Sequence, residues 1–186
     1  MNVYLTLLHY PVYNKNKQII ATSIVIHDIH DMARCGRTYG IKKFYIVQPF
    51  EGERQIVRRI KNFWNTNGKS YNPNRAEAIK IVSVKRDISE VLNEIKETEH
   101  AKPILIGTSA RRRLKKSISY SELSKKIKED SGTVLLIFGT GWGIAEEIED
   151  MFDYFLPPIQ GKTNYNHLSV RSAAAIVMDR LLGGDR

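Results

Sequence analysis

The sequence predicts an α/β protein, a mostly parallel sheet with helices on both faces. Three observations carry that prediction. Short apolar runs alternate along the whole chain with helix-period segments of about ten residues, the order expected of βαβ units. Runs such as Val134-Leu135-Leu136-Ile137-Phe138 are continuously apolar, as strands covered on both faces require. No internal repeat and no Pro/Gly/Ser-rich linker breaks the series, so the 186 residues are expected to form one domain over 1–186.

The elements follow from local pattern. Residues 3–8 read as the first strand. Residues 28–39 place Ile29, Met32, Ala33 and Gly36 on one helical face, and Gly40 ends the helix. Residues 43–47 are a second strand, carrying Phe44, Tyr45, Ile46 and Val47. Ile56, Val57, Ile60 and Phe63 recur at helical spacing across 51–64. Residues 65–74 are polar, with Asn65, Asn67, Asn72 and Asn74 beside Gly68 and Pro73, and predict a loop or lid. A strand is expected over 78–84. Asp87 with Glu90, and Ser119 with Glu122, have capping-box spacing and open two further helices. The first carries Ile88, Val91, Leu92 and Ile95, and the second runs through Ile127. Residues 103–107 and 133–138 are buried-type strands. A glycine-rich turn, a short acidic helix and a brief strand over 154–156 come next. The closing helix, 168–182, aligns Val170, Ala174, Val177, Met178 and Leu181.

Composition narrows the function. Lys and Arg outnumber Asp and Glu by 29 to 20, a net charge of +9, which favours a polyanionic partner: nucleic acid first, an anionic membrane surface second. The lone Cys35 excludes an internal disulfide or a Cys-cluster zinc site and fits a reducing, cytoplasmic setting. No apolar run approaches the roughly 18 residues of a membrane span, and residues 1–13 lack the basic start of a leader. The expectation is a partner that is neither membrane nor metal.

In parallel sheets ligands sit beyond the carboxyl ends of the strands. There stands Gly139-Thr140-Gly141-Trp142-Gly143-Ile144, whose glycines let backbone approach a ligand and expose N–H groups. Its G-x-G-x-G spacing and the short chain remaining after it do not fit a dinucleotide fingerprint. Ala145-Glu146-Glu147 then opens the next helix with carboxylates, which oppose a phosphate and suit a cationic ligand. A P-loop is excluded, because Leu156 and Phe63 stand where the first glycine would precede Gly161-Lys162-Thr163 and Gly68-Lys69-Ser70. His27 and His30, with Asp28 and Asp31, are a weak metal pattern. Helical arithmetic instead groups His30, Arg34 and Arg37 opposite the apolar stripe, a polar face suited to gripping phosphate or a base. Arg111-Arg112-Arg113-Leu114-Lys115-Lys116 has five cations in six residues just after a strand, as a nucleic-acid interface would. Phe63, Trp64, Tyr71 and Tyr165 stand near basic residues, where rings stack on splayed bases. Neither a nucleophile elbow nor a zinc-deaminase signature is present.

Three segments resemble, in order and spacing, the motifs of the SPOUT RNA methyltransferases. The first is 28–47, with Arg34, Thr38 and Gly40 leading into Phe44-Tyr45-Ile46-Val47. The second is Leu135-Leu136-Ile137-Phe138-Gly139-Thr140-Gly141-Trp142-Gly143-Ile144. The third is Leu156-Pro157-Pro158-Ile159-Gln160-Gly161 followed by His167-Leu168-Ser169-Val170-Arg171-Ser172 and Ala173-Ala174-Ala175-Ile176. The resemblance spans nearly the whole chain and is nearest to small, stand-alone bacterial S-adenosylmethionine-dependent RNA methyltransferases. It implies a deep C-terminal trefoil knot, a homodimer, and S-adenosylmethionine held bent within knotted loops. By position, Ile106, Gly107, Thr108 and Ser109 would form one cofactor loop. Phe138, Gly139, Gly141, Trp142 and Gly143 would form the second, and Ile159 and Gly161 with His167, Leu168 and Ser169 the third. Ser172, Ala173, Ala174 and Ala175 would allow close packing of the knotted helix and a partner subunit.

The implied activity is methyl transfer from S-adenosylmethionine to a nucleotide of rRNA or tRNA. Arg34 would orient RNA phosphate or the acceptor. Asp28, Asp31 and His30 are the alternatives for the proton acceptor. His30 and Arg37, with Arg111, Arg112 and Arg113, would hold RNA. In the first motif Asp28 or Asp31 stands where Asn is common, and two further departures stand against the family pattern. Ser169 occupies a position where many members carry Asn, and a glycine replaces the frequent Glu of the second motif. They motivate the alternative of a catalytically inactive SPOUT-fold RNA-binding protein.

Overall fold

A computed structural model describes residues 1–113 and 116–184. The first half comprises β1 (Asn2–Leu8), a hairpin of β2 (Val12–Tyr13) and β3 (Ile19–Ile20), α1 (Ile26–Thr38), β4 (Phe44–Val47), α2 (Glu51–Asn65), α3 (Asn67–Tyr71), α4 (Pro73–Ile79) and β5 (Val82–Lys85). The second half comprises α5 (Ile88–Glu99), β6 (Ile104–Gly107), α6 (Tyr120–Glu129), β7 (Thr133–Gly139), α7 (Glu146–Glu149), β8 (Tyr154–Phe155) and α8 (Val170–Leu182).

Six strands form one sheet in the order β5-β4-β1-β7-β6-β8, and each pairing is parallel. β1 lies at its centre, with Asn2 opposite Thr133 through to Leu8 opposite Gly139 on one side. On the other side Leu5 to Leu8 face Phe44 to Val47. Alternate residues leave a strand on opposite faces, and both faces are apolar here. One face carries Leu5, Leu7, Phe44, Ile46 and Leu136 against Ile29 and Met32 of α1 and Val177 and Met178 of α8. The other carries Tyr4, Leu8, Tyr45, Val47 and Leu135 against Ile88, Val91 and Ile95 of α5. The expected mostly parallel sheet with helices on both faces is therefore present, and β4, β6, β7 and α1 fall within two residues of their expected bounds.

Three local readings are corrected and one hairpin is added. Residues 65–74 are not a loop, since α3 occupies 67–71 and α4 starts at Pro73. The same Asn and Pro that suit a loop form a helix start: Asn72 Oδ1 accepts the Arg75 N–H at 3.0 Å and Pro73 takes the first turn. The expected strand over 78–84 shortens to Val82–Lys85, because α4 continues through Ile79. In α2 the buried residues are Val57 and Trp64, while Ile56 and Phe63 face outward, so the packed stripe is rotated from the expected one. The hairpin of β2 and β3 is too short for any periodicity to reveal. The capping expectations hold in different degrees. Ser119 and Glu122 close a reciprocal box, whereas Glu90 accepts from Arg86 N–H, one residue ahead of the Asp87 cap.

Gly107 ends β6 under the Phe152 ring, where a Cβ would stand 2.2 Å from Phe152 Cδ2. Gly107→Ala is therefore expected to lower the unfolding free energy by about 1–3 kcal/mol. Urea denaturation should show a lower midpoint at an unchanged slope.

Candidate active site

Because the six sheet strands are parallel, His9, Gln48, Thr108, Thr140 and Leu156 all leave the sheet at one edge. His9 follows β1 and is 2% exposed, so it must be held by the chain itself. Its Nδ1 lies 2.9 Å from Thr22 Oγ1, which lies 2.6 Å from Thr140 Oγ1. Thr140 donates its hydroxyl proton to the Leu8 carbonyl at 3.0 Å. Counting protons along this row fixes the rest. Thr140 accepts from Thr22, Thr22 accepts from His9, and His9 therefore carries its proton on Nδ1 and leaves Nε2 a bare acceptor. Burial pushes the imidazole down to about 4, with Asp28 and Glu53 opposing the shift, so His9 is neutral at pH 7. Gln48 Nε2 ties the same segment down by donating to the Thr22 carbonyl at 2.9 Å.

The glycine-rich turn after β7 meets the β2–β3 hairpin. Trp142 N–H donates to the Tyr13 carbonyl at 2.8 Å, Tyr13 N–H to the Gly143 carbonyl at 2.8 Å, and Ala145 N–H to the Pro11 carbonyl at 3.1 Å. Gly141 has φ +60°, and a Cβ there would stand 2.8 Å from the Tyr13 oxygen, so glycine is needed for this approach. Part of the turn's N–H array is thus committed within the chain. The opposite side stays open, since nothing lies within 4 Å of a Cβ position at Gly143, and Trp142 is exposed.

The other two expected cofactor loops lie beside it. Ile106 and Phe138 are core residues that can offer a ligand only backbone. Thr108 bonds back to the Ile137 carbonyl through both N and Oγ1, and Ser109 Oγ accepts from Arg111 N–H at 3.0 Å. Asn166 Nδ2 donates to the Ala110 carbonyl at 2.8 Å and joins the loop after β8 to the loop after β6. Ile159 packs partly on the core, Gly161 has open space around it, and His167 meets Tyr165 edge-on. Leu168 is exposed, and Ser169 caps α8 by accepting from Ser172 N–H. This edge therefore presents backbone groups, open space around Gly161 and the apolar side chains of Ile159 and Leu168. The exposed carboxylates Glu146 and Glu147 stand at the following helix, where a cation is favoured.

Arg171, in the first turn of α8, joins this region to α1. Its Nη1 bonds Asp28 Oδ1 at 2.9 Å and its Nε lies 3.5 Å from Asp31 Oδ2. The two candidate carboxylates thus share one guanidinium, with Asp28 buried and Asp31 exposed. Sequence reasoning gave Arg171 no role, although a cation in a helix's first turn opposes the helix dipole and so points to a partner elsewhere. It also passed over His9, Thr22, Gln48 and Thr140, of which His9 carried the positional signal of directly following a strand. Arg34 is exposed beside Asp31 on α1. His30 is half-buried, edge-on to Trp64 at 5.8 Å, and its Nδ1 is buried without a partner. Burial, aided by the Arg75 cation, holds its imidazole below the usual range, so at neutral pH the positive charge of this face comes from the arginines.

The expected RNA-holding arginines are not equivalent. Arg111 and Arg112 are exposed. Arg113 is held by Glu149 at 2.5 Å, with its guanidinium 5.6 Å from the Phe155 ring centre. Lys116 Nζ donates to the carbonyls of Asp150 and Phe152, while Leu114 and Lys115 lie outside the described residues. Arg37 bonds Glu77 on α4 with both partners half-exposed, a contact worth little in water. Among the described residues no helix is long and apolar enough to cross a membrane, and no group of three metal-binding side chains occurs. A shallow hollow lined by Asn93, Lys96, Glu97 and His100 belongs to α5 and its cap, and gathers nothing from the strand ends.

Residues 2–183 match the sequence profile of a family described as SAM-dependent RNA methyltransferase. A protein of Aquifex aeolicus (strain VF5), named only as uncharacterized, is 41% identical over 186 residues, covering 100% of this chain and 90% of its own. A tRNA (guanine-N(1)-)-methyltransferase of Oleidesulfovibrio alaskensis is 37% identical over 183 residues, 98% of this chain. This chain spans only 42% of that relative's length. The crystal structure of TrmJ from Z. mobilis ZM4 superposes with a TM-score of 0.63 at 15% identity, covering 98% of this chain and 69% of that one, and shares the fold.

Two outcomes are expected from the site's own electrostatics. Below the ordinary histidine pKa near 6.5 the unfolded chain takes up a proton that folded His9 refuses until about 4. Stability should therefore fall as pH drops through that window, by about 1.4 kcal/mol per unit and roughly 3 kcal/mol in total. Denaturation between pH 6.5 and 4.5 should show a flatter slope for His9→Asn, whose amide preserves a donor to Thr22. Arg171→Leu leaves the buried Asp28 carboxylate unpaired and should cost about 1–3 kcal/mol. Adding Asp28→Asn should recover most of that loss in a double-mutant cycle.

Proposed function

The chain belongs to the SAM-dependent RNA methyltransferase family, and from that premise we propose how its residues carry out methyl transfer to a nucleotide of tRNA or rRNA. The observation that carries the reading is the Arg171 junction, because it sets the end of the loop after β8 against the start of α1 and its exposed Arg34 and Asp31. Bound S-adenosylmethionine would supply an electrophilic methyl group, taken by a base nitrogen or ribose oxygen as the carbon–sulfur bond breaks and its electron pair stays on sulfur. The loops beginning at Thr108, Thr140 and Leu156 would hold it, mainly through backbone, with Ile159 and Leu168 as apolar walls and Glu146 and Glu147 favouring its positive charge. Arg34 orients the acceptor through its phosphate, and such positioning is the larger part of catalysis for an in-line transfer. Asp31 accepts the acceptor's proton, being the exposed carboxylate of the pair. Asp28 acts through Arg171, holding it in place rather than meeting RNA.

Four finer features belong to the same proposal. β8 lies at the sheet's outer edge beside β6, and the chain then returns through 156–169 to α8, which packs on α1 and α6. That return supports a trefoil knot. The small residues Ser172, Ala173 and Ala175 at the start of α8 support close packing against a second copy. Residues 1–186 act as one methyltransferase unit, and the lone thiol, Cys35, fits a cytoplasmic protein.

Nucleoside mass spectrometry of tRNA and rRNA from cells with and without the gene should show one methylated nucleoside disappear. Arg34→Ala should lower turnover at least 100-fold, of the order seen for losing a positioning group, while calorimetry shows S-adenosylmethionine binding retained. Turnover within a few-fold of the unaltered protein would remove Arg34 from this role.

A further inference from the structure

A parallel crossover needs a single helix, yet residues between β4 and β5 form three, α2, α3 and α4. This segment is rich in charge. Residues 50–80 hold seven Lys and Arg against Glu51, Glu53 and Glu77, a net +4 of the chain's +9. Arg54 and Arg58 are committed to Glu51, and Lys61 to the Val82 carbonyl. Arg59 and Lys69 are exposed and make no ion pair among the described residues. Interleaved with them are rings that the core does not take: Tyr71 is 86% exposed and Phe63 49%.

The rings stand on a firm support. Phe63 meets the buried Trp64 edge-on at 5.2 Å, and the Arg75 guanidinium lies over Trp64 at 5.2 Å. Gly68 brings α3 onto the same indole, where a Cβ would stand 2.6 Å from a ring carbon. His30 of α1 completes the group, and both His30 Nδ1 and Arg75 Nε are buried there without hydrogen-bond partners. The platform therefore adjoins the α1 face that carries Arg34 and Arg37, and the Arg37–Glu77 pair spans the seam between α1 and α4.

We propose that the α2–α4 face is a platform for single-stranded RNA flanking the modified nucleotide. Bases stack on Tyr71 and Phe63, Arg59 and Lys69 hold the phosphates, and the strand continues to Arg34. The inference rests on the reading of this chain as an RNA methyltransferase, and adds where the substrate lies outside the reaction site. Single strands fit better than duplex, because only unstacked bases present a face to an aromatic ring. A second copy of this chain fits worse, because like charges would meet across the contact.

The test is fluorescence anisotropy on the full chain with a fluorescein-labelled mixed-sequence RNA of roughly 16 nucleotides, alone and annealed to its complement. S-adenosylmethionine binding is followed in parallel by calorimetry. Tyr71→Ala removes no core packing and should weaken single-strand binding about fivefold or more, leaving duplex and cofactor binding unchanged. Tyr71→Trp should retain single-strand affinity. Arg59→Gln with Lys69→Gln should reduce the salt dependence of single-strand binding by about 0.7 per lost phosphate contact. A Tyr71→Ala protein that binds single strands as tightly as the unaltered chain, or loses duplex binding equally, overturns the platform alone. No binding of either RNA by the unaltered chain would sink the proposed function as well.

Discussion

The parallel pairing of β1 with β7 is the contact on which the rest of the molecule depends. It runs the full length of both strands, from Asn2 beside Thr133 to Leu8 beside Gly139, and it joins the beginning of the chain to its last third. Both strands are buried almost throughout, so their peptide groups have no water to turn to and must pair with each other or with β4 and β6. The register cannot slip by one residue without turning each apolar side chain toward the wrong helix layer. That register sets Leu8 level with Gly139. It thereby sets His9, the hairpin and Thr22 against Thr140 and the glycine-rich turn, and the Leu8 carbonyl receives the Thr140 hydroxyl. The site edge is a by-product of a strand pairing selected by burial.

The charges around that edge sort into two kinds. Some cations are drawn into the structure. Arg171 neutralises Asp28 at the junction of α1 and α8, and Arg113 lies between Glu149 and the Phe155 ring. Others remain outside, with Arg34 on α1, Arg111 and Arg112 after β6, and Arg59 and Lys69 on the α2–α4 insertion. Only the second kind adds to a field that a polyanion can feel. A net charge counted from composition treats the two alike. His9 and His30 belong to neither, because burial keeps both imidazoles neutral near pH 7. One secures the β1 turn and the other supports an indole.

Much of this is legible in the sequence. The continuous apolar strands, the α1 stripe of Ile29, Met32, Ala33 and Gly36, and the Ser119–Glu122 box are local patterns whose physics acts within a few residues. The glycine-rich turn announced itself for the same reason. Local pattern is ambiguous where one residue type serves two purposes. Asn72 and Pro73 suit a loop and a helix start equally, and the choice depended on whether Ala76 and Ile79 had a core to enter. Phe63 and Trp64 are adjacent rings, and only the packing of Gly68 and Arg75 decided which was buried.

The sequence by itself determined the class of fold, the long strands of the main sheet and their parallel sense, the excess of positive charge, and a family likeness spread over three segments. Those follow from hydrophobic period, capping and composition, which are properties of neighbours along the chain. Tertiary structure decided which carboxylate is buried, that Arg171 holds Asp28 and Asp31 together, that His9 is neutral and protonated on Nδ1, and which cations stay in water. Each of those depends on the distance between groups far apart in sequence, and on how much solvent the fold leaves around them. Pair energies and protonation states are set by separation and local dielectric, neither of which a linear order of residues contains.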